Sequence, residues 1–255
     1  MDSELKRALV APFRPAFWKG HSLLDLSREA RVAASGLRPW LLARRAYKFG
    51  GYHGTERWYR ELAGLLKVLK KSPPRIVLEI GVAQGASMFA WAQVSAPEAC
   101  LIGLDAFQVR TASSVGVRQT ADEVRARLVA AGALRPSQKL FLVSGDSHSD
   151  QAKRSVLDIL QCTKLDFLFI DGDHSYEGVW HDFRDYAPLV REGGIIAFHD
   201  IVPDFKTRYG IDTPNWTGGV HRFWSEVCRQ YPGISIIDRP DQDGFGIGIL
   251  HSRVL

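Results

Sequence analysis

From residue 75 onward, short and nearly unbroken apolar runs alternate with longer stretches in which apolar residues recur every three to four positions. The runs at 76–80, 100–104, 140–143, 167–170 and 195–198 predict five strands buried on both faces, since a strand with one wet face would alternate apolar with polar. The stretches between them, at 87–95, 121–131, 151–160 and 177–190, predict helices. Strand and helix in regular alternation imply a mainly parallel sheet covered on both sides. The tail breaks that rhythm. After a helix at 220–230 come an apolar run at 234–237, a turn through Asp241, Gln242, Asp243 and Gly244, and a second run at 245–250. Together they predict a terminal β-hairpin.

Before residue 55 the pattern is weaker, because Pro12, Pro15, Gly20, Gly36 and Pro39 divide the chain into short helical pieces. Residues 1–54 are therefore expected to form a helical extension or lid, and 55–255 the main domain. Trp58, Leu62, Leu65, Leu66 and Leu69 fall at helical spacing, with Lys67, Lys70 and Lys71 at the end and Pro73 and Pro74 as the stop. A length of 255 residues suits one α/β domain with an appendage, and 45% hydrophobic with 24% charged residues excludes a disordered chain. Three distant cysteines predict neither a disulfide framework nor a paired metal site and suit a reducing cytoplasm. No signal peptide and no membrane-spanning window is found. The net charge of +5 divides into +10 over residues 1–75 and −5 over residues 76–255. The basic N-terminal region is read either as solvated helix faces or as attraction to an anionic partner such as nucleic acid, lipid headgroups or an acidic glycan.

In open parallel sheets, ligands bind outside the carboxyl ends of the strands. The first run leads into Glu79-Ile-Gly81-Val-Ala-Gln-Gly85-Ala-Ser87, where glycines permit a tight turn and close approach to backbone N–H groups at a helix start. Asp105 follows the second run, Gly145-Asp146-Ser147-His148 the third, Asp171-Gly172-Asp173-His174 the fourth, and His199-Asp200 the fifth. One acid at a strand end is often a helix cap, but a whole series is poorly explained that way. Asp105 lies 24 positions beyond Gly81, where an acid can take both hydroxyls of a ribose. This favours an adenosine ligand. The missing third glycine of the dinucleotide fingerprint and the terminal hairpin argue against NAD.

At these residues the sequence resembles the class I S-adenosylmethionine-dependent methyltransferases. VLEIGVAQGAS is similar to their first motif, LIGLDAF to the ribose-binding second and LVSGDSH to the adenine-side third. The most specific stretch, FLFIDGDHSYEGVWHDFRDYAPLVREGGIIAFHDI, resembles the small-molecule O-methyltransferases that act on sugars and natural products, with cephalosporin-hydroxylase-like relatives nearby. The likeness runs from about residue 55 to the end. It implies an α/β, Rossmann-like, doubly wound fold: a seven-stranded, mostly parallel sheet with an antiparallel last strand, after the N-terminal helical extension. It further implies S-adenosylmethionine as cofactor, with Glu79, Gly81, Gly85 and Ser87 on its methionine and ribose side. Asp105 falls at the ribose hydroxyls, Asp146 and Ser147 at the adenine, and Asp171 in the same pocket.

In the macrolide-sugar relatives the fourth strand ends D-G-S-H and the fifth in two acids. The matching positions imply Mg²⁺ or a similar divalent cation between Asp171 and Asp200, with His199 or water completing the shell. A histidine where the relatives have an acid suits a softer ion. A sugar hydroxyl is too weakly acidic to attack unaided at neutral pH, so the reaction needs a base, and the imidazole of His174 has a suitable ordinary pKa. The simpler alternatives are a solvated ring at a helix start for His174 and a pocket-rim hydrogen bond for His199. His148, His181 and His221 read as ordinary polar residues, and His21, His53 and His251 belong to no constellation. Trp58, Trp91, Phe223 and Trp224 read as core. Trp216, in the Pro- and Gly-containing segment 212–219, reads as part of a roof over the acceptor with residues 107–116 and 50–54.

The expected activity is transfer of a methyl group to a hydroxyl oxygen of a small glycosidic or natural-product acceptor. Two alternatives stand beside it. A methyltransferase acting on nucleic acid is favoured by the basic N-terminal region and disfavoured by the lack of an N-P-P-Y type motif after the fourth strand. A binding module would keep the fold and the cofactor without turnover.

Overall fold

Every apolar run becomes a strand, and the tail forms the hairpin. In the computed structural model, which describes residues 38–51, 57–107 and 119–252, the strands are β1 (Ile76–Ile80), β2 (Cys100–Asp105), β3 (Lys139–Ser144), β4 (Leu165–Ile170), β5 (Val190–His199), β6 (Gly233–Ile236) and β7 (Ile247–His251). They form one sheet in the order β3-β2-β1-β4-β5-β7-β6. Pairs among β1 to β5 are parallel, and β7 runs antiparallel between β5 and β6. The strand order reverses between β1 and β4. In such sheets the ligand crevice opens at the carboxyl ends of the two strands flanking that reversal.

The described helices are α1 (38–49), α2 (Arg57–Leu69), α3 (Ala86–Val94), α4 (Ala121–Ala130), α5 (Asp150–Leu160), α6 (Tyr176–Tyr186), α7 (Phe205–Tyr209) and α8 (Val220–Gln230). Successive strand side chains point to opposite faces. Val77, Leu101, Phe167, Phe169 and Ala197 thus pack with residues of α1 to α4. Leu78, Ile80, Ile102, Leu168, Ile170, Ile196 and Phe198 pack with α5, α6 and α8. Trp91 anchors the first layer, with its ring 5.0 Å from Phe167 and 5.1 Å from Phe169. Phe223 and Trp224 anchor the second against Phe198, at 5.4 and 5.8 Å. α1 adds buried Ala43 and Ala46 to the first core, with Trp40, Tyr47 and Phe49 beside them. Pro39–Leu255 forms one compact unit. Of the extension or lid expected over 1–54, residues 1–37 and 52–54 lie outside the described residues, as do 108–116 of the expected roof and the side chain of Trp58.

Two boundaries differ from the sequence pattern. The helix expected to run to residue 190 ends at Tyr186, and Ala187–Leu189 tightens into a 3₁₀ turn around Pro188. Proline has no N–H to continue the helical ladder. Val190 already pairs with Leu165 in β5, but Ile195 pairs with Phe167, so the intervening residues bulge through Gly193, at φ +72°. Exposed Arg191 and Glu192 hide this part of the strand from a search for apolar runs. No helix among the described residues is long and apolar enough to cross a membrane.

Candidate active site

The turn from β1 to α3 is shaped by two glycines. Gly81 sits at φ +85° and packs so tightly on the loop after β4 that a Cβ there would collide with the Asp171 carbonyl. Its N–H donates to the Leu104 carbonyl at 2.9 Å, while the Asp171 N–H donates to the Ile80 carbonyl at 2.8 Å. Gly85 caps α3 at φ +80°. The carboxyl ends of β1, β2 and β4 are thereby joined through backbone alone.

Asp105 bridges two loops: one carboxylate oxygen accepts the Ala83 N–H at 2.7 Å and the other the Phe107 N–H at 2.6 Å. Each oxygen keeps a further lone pair for a ligand hydroxyl. Ala83 and Phe107 adopt left-handed backbone at φ 47° and 49°, and Asp200 and Phe245 do so at 59° and 63°. Four of the six such non-glycine residues described therefore gather around this edge of the sheet. Strain of this kind concentrates at ligand sites. Glu79 is fully buried, and neither carboxylate oxygen has a hydrogen-bond partner. Burial holds its pKa well above the carboxylate range, Ser87 and Trp91 oppose the rise, and Asp171 and Asp105 add to it. An orphaned buried carboxylate beside a glycine cradle fits a cationic ligand group, as the ammonium and sulfonium of the implied cofactor are.

In the β3–α5 loop, an Asp146 oxygen accepts the His148 N–H at 2.9 Å, and the Ser147 carbonyl accepts the Tyr186 hydroxyl at 2.8 Å. The Asp146 carboxylate points outward, with 71% of its side chain exposed.

The second half of the site is made by side chains. Asp171 Oδ1 lies 3.3 Å from His174 Nε2 and 3.4 Å from His199 Nδ1. Asp200 Oδ2 lies 3.4 Å from His174 Nδ1 and from His199 Nδ1. Burial alone would neutralise these groups, but their mutual charges dominate. His199 and His174 hold Asp171 far below the usual carboxylate range. Against burial, Asp171 and Asp200 raise His174 to about 9. They likewise raise His199 well above its ordinary value. Asp171, His174 and Asp200 each offer one ligand atom within 4.8 Å of the others. Two carboxylates with imidazole nitrogen suit a divalent cation between the hard and soft extremes.

The segment after β5 closes over this cluster. The Trp216 ring stacks on His174 at 5.4 Å and 22° and is 63% exposed. Gly218 at φ +55° and Gly219 press backbone against the His174 loop, where side chains would collide with the His174 carbonyl and Tyr176. Buried Asp204 accepts the Thr217 N–H at 3.0 Å, and Asp243 accepts Asn215 Nδ2 at 2.9 Å. Trp216 is thus braced on both sides.

Sequence reading missed Glu61. It is buried on α2 and accepts Gln242 Nε2 at 2.7 Å and the Gly246 N–H at 2.8 Å, fixing the segment that carries Phe245. The Phe245 ring lies 6.1 Å from that of His199. Its signal was an acid in the apolar stripe of Leu65 and Leu69. Trp91, Phe223 and Trp224 are core as expected. His148, read as an ordinary polar residue, instead faces buried Asp182.

Residues 78–201 match the family model described as a methyltransferase domain. The O-methyltransferase from Bacillus cereus, solved in complex with SAH, is 15% identical with a TM-score of 0.55, covering 97% of each chain. The O-methyltransferase TomG from Streptomyces achromogenes, involved in tomaymycin synthesis and solved with SAM, is 18% identical with a TM-score of 0.55, covering 99% of this chain and 100% of that one. An uncharacterised protein of Acanthamoeba polyphaga mimivirus is 47% identical over 51 residues, 20% of this chain and 23% of that protein. The chain therefore matches less than a quarter of that curated relative's length. Residues 78–201 thus resemble a methyltransferase domain, and the chain shares the seven-stranded, Rossmann-like fold of these solved O-methyltransferases.

Proposed function

We propose that the protein transfers the methyl group of S-adenosylmethionine to a hydroxyl oxygen of a small glycosidic or natural-product acceptor. The observation that carries this reading is the meeting of Asp171, His174 and Asp200 directly beside the Gly81 turn. Bound there, the cofactor supplies an electrophilic methyl on a sulfonium. Glu79 faces its cationic end, the Gly81–Ser87 turn cradles it, Asp105 takes the ribose hydroxyls, and Asp146 and Ser147 border the adenine. Trp216 offers a ring surface to the acceptor beside the cluster. His174 accepts the hydroxyl proton as the acceptor oxygen bonds to the methyl carbon and the carbon–sulfur bond breaks.

Asp171 and Asp200 would hold a divalent cation, which would lower the pKa of the acceptor hydroxyl; His174 lies within reach of the same ion, but in this reading His199 completes the shell and leaves His174 free as base. The two carboxylates raise His174 to about 9 in the chain alone; a cation between them would offset that charge and favour the neutral imidazole. Carboxylates at 171, 173 and 200 disfavour a phosphate backbone at the same place.

The test is incubation of the full chain with S-adenosylmethionine and a panel of glycosides, phenols and RNA, with and without EDTA, read by product mass. A methylated glycoside or phenol supports the reading; methylation of RNA alone overturns the acceptor class. Asp105→Ala is expected to weaken cofactor binding about tenfold or more, because two ribose hydroxyls lose charged acceptors. Unchanged affinity by calorimetry in a folded variant would remove Asp105 from the site.

A further inference from the structure

A second acid–histidine pair lies apart from this cluster. Asp182 on α6 is fully buried, and neither oxygen makes a hydrogen bond of ordinary geometry, the Ser147 side chain being the nearest polar group that opposes its burial. The His148 side chain, 27% exposed, brings its Nε2 to 3.4 Å from an Asp182 oxygen, and that nitrogen has no other partner. Ordinary hydrogen bonds span about 2.7–3.2 Å, so a shift of a few tenths of an ångström joins the two. Around Asp182 stand Ser147, His148 and Asp146 from the β3–α5 loop and Asp173 from the β4–α6 loop. Tyr186 follows it on α6, and His181 sets its ring 5.2 Å from that of His148.

What the pair holds gives it a role. His148 follows Asp146 and Ser147, and its backbone N–H is bound by Asp146. One turn after Asp182 on α6, the Tyr186 hydroxyl takes the Ser147 carbonyl. The loop assigned to the adenine therefore rests on α6 at two points. One point is a neutral hydrogen bond, and the other is a carboxylate facing an imidazole. A position serving packing alone would gain nothing from a buried carboxylate so weakly compensated.

We propose that Asp182 and His148 are positioning residues that fix the Asp146–Ser147 loop from beneath and make affinity for the adenosine part of the cofactor depend on pH. The proposal rests on the methyltransferase reading above. Ionised Asp182 accepts from His148 Nε2 and pins the loop; once protonated, it no longer anchors the ring by charge. Burial, with Asp173 and Asp146 adding and Ser147 and His148 opposing, places its titration at about 6.

The test is calorimetric titration of the full chain with S-adenosylhomocysteine between pH 5 and 8, for wild type, Asp182→Asn and His148→Gln. Wild-type affinity is expected to tighten severalfold as pH rises through about 6. Both variants are expected to bind about tenfold more weakly at pH 7.5 with a flat profile. Thermal melting establishes that each variant is folded, and an unfolded Asp182→Asn leaves His148→Gln to decide. Folded variants with the wild-type affinity and profile overturn the proposal while leaving the methyltransferase reading intact. A wild-type chain that binds no S-adenosylhomocysteine at any pH overturns both.

Discussion

The two acid–histidine groups use the same residue types and arrive at opposite electrostatics. Asp171 faces two histidines, and both stay positively charged between it and Asp200. Asp182 faces one histidine and two further carboxylates. Asp171 is accordingly held strongly acidic, whereas Asp182 is raised to about 6. Exposure follows the same division: 23% of the Asp171 side chain is open, against none of the Asp182 side chain. Neither pair can be understood residue by residue, because the balance of like and opposite charges within a few ångströms decides which form is stable. The open cluster can meet a substrate, whereas Asp182 is sealed and can act only through His148 and the loop that carries it.

The largest expected effect tests the open side. His174→Ala should keep cofactor affinity and lower kcat by about 10²- to 10⁴-fold, the usual worth of a general base. His148→Gln should instead act mainly through the cofactor, leaving kcat at saturating S-adenosylmethionine within a few-fold of wild type. Steady-state kinetics with both substrates varied separates these outcomes. A similar fall in kcat for both variants would erase the functional distinction. Asp200→Asn or exhaustive chelation should likewise lower turnover while sparing cofactor affinity, and full activity after chelation would leave Asp171 and Asp200 as polar pocket residues.

This contrast also marks how much of the molecule was legible in the sequence. The strands, most helices and the glycine-turn half of the candidate site follow from local signals: apolar runs, glycines at the β1–α3 turn, and acids at strand ends. Asp105 and Gly81 act through neighbouring backbone, so their spacing announces them. The acceptor half depends on distant parts of the chain. Glu61 meets Gln242 across 181 positions, and Trp216 meets His174 across 42. His148 and Asp182 are 34 positions apart in the sequence, and no periodicity links them. Their meeting follows from the packing of α6 against the β3–α5 loop, which only the assembled sheet defines.

A smaller effect, of unusual sign, tests the closed side. An acid whose folded pKa stands above its unfolded value stabilises the fold only while protonated. For Asp182 the folded value is about 6 against an ordinary 3.8. Stability is therefore lost as pH rises from about 4 to about 6 and stays lost above that. Asp182→Asn should raise the melting temperature at pH 8, and the gain should vanish near pH 4. The same variant should bind S-adenosylhomocysteine more weakly at pH 8. Stability and affinity would then move in opposite directions, which a packing role alone does not produce. A variant less stable than wild type at pH 8 would show that the carboxylate is better satisfied than its surroundings indicate.

The smallest effect isolates the neutral anchor. Tyr186→Phe removes the hydroxyl that donates to the Ser147 carbonyl at 2.8 Å while keeping the fully buried ring. One neutral hydrogen bond is worth about 1 kcal/mol, so cofactor affinity should fall by several-fold at most. Burial, with Asp182, Asp185 and Asp146 nearby, pushes the Tyr186 hydroxyl well above its ordinary pKa, so it stays protonated throughout the working range. Any difference in the loss between pH 5.5 and pH 8 therefore reports the state of Asp182 and not of Tyr186. Because both residues hold one loop, their effects should not add: after Tyr186→Phe, the remaining anchor carries the loop alone, and the pH dependence set by Asp182 should steepen. Calorimetry on the double variant closes the cycle, and strict additivity at both pH values would mean that the two contacts hold the loop independently.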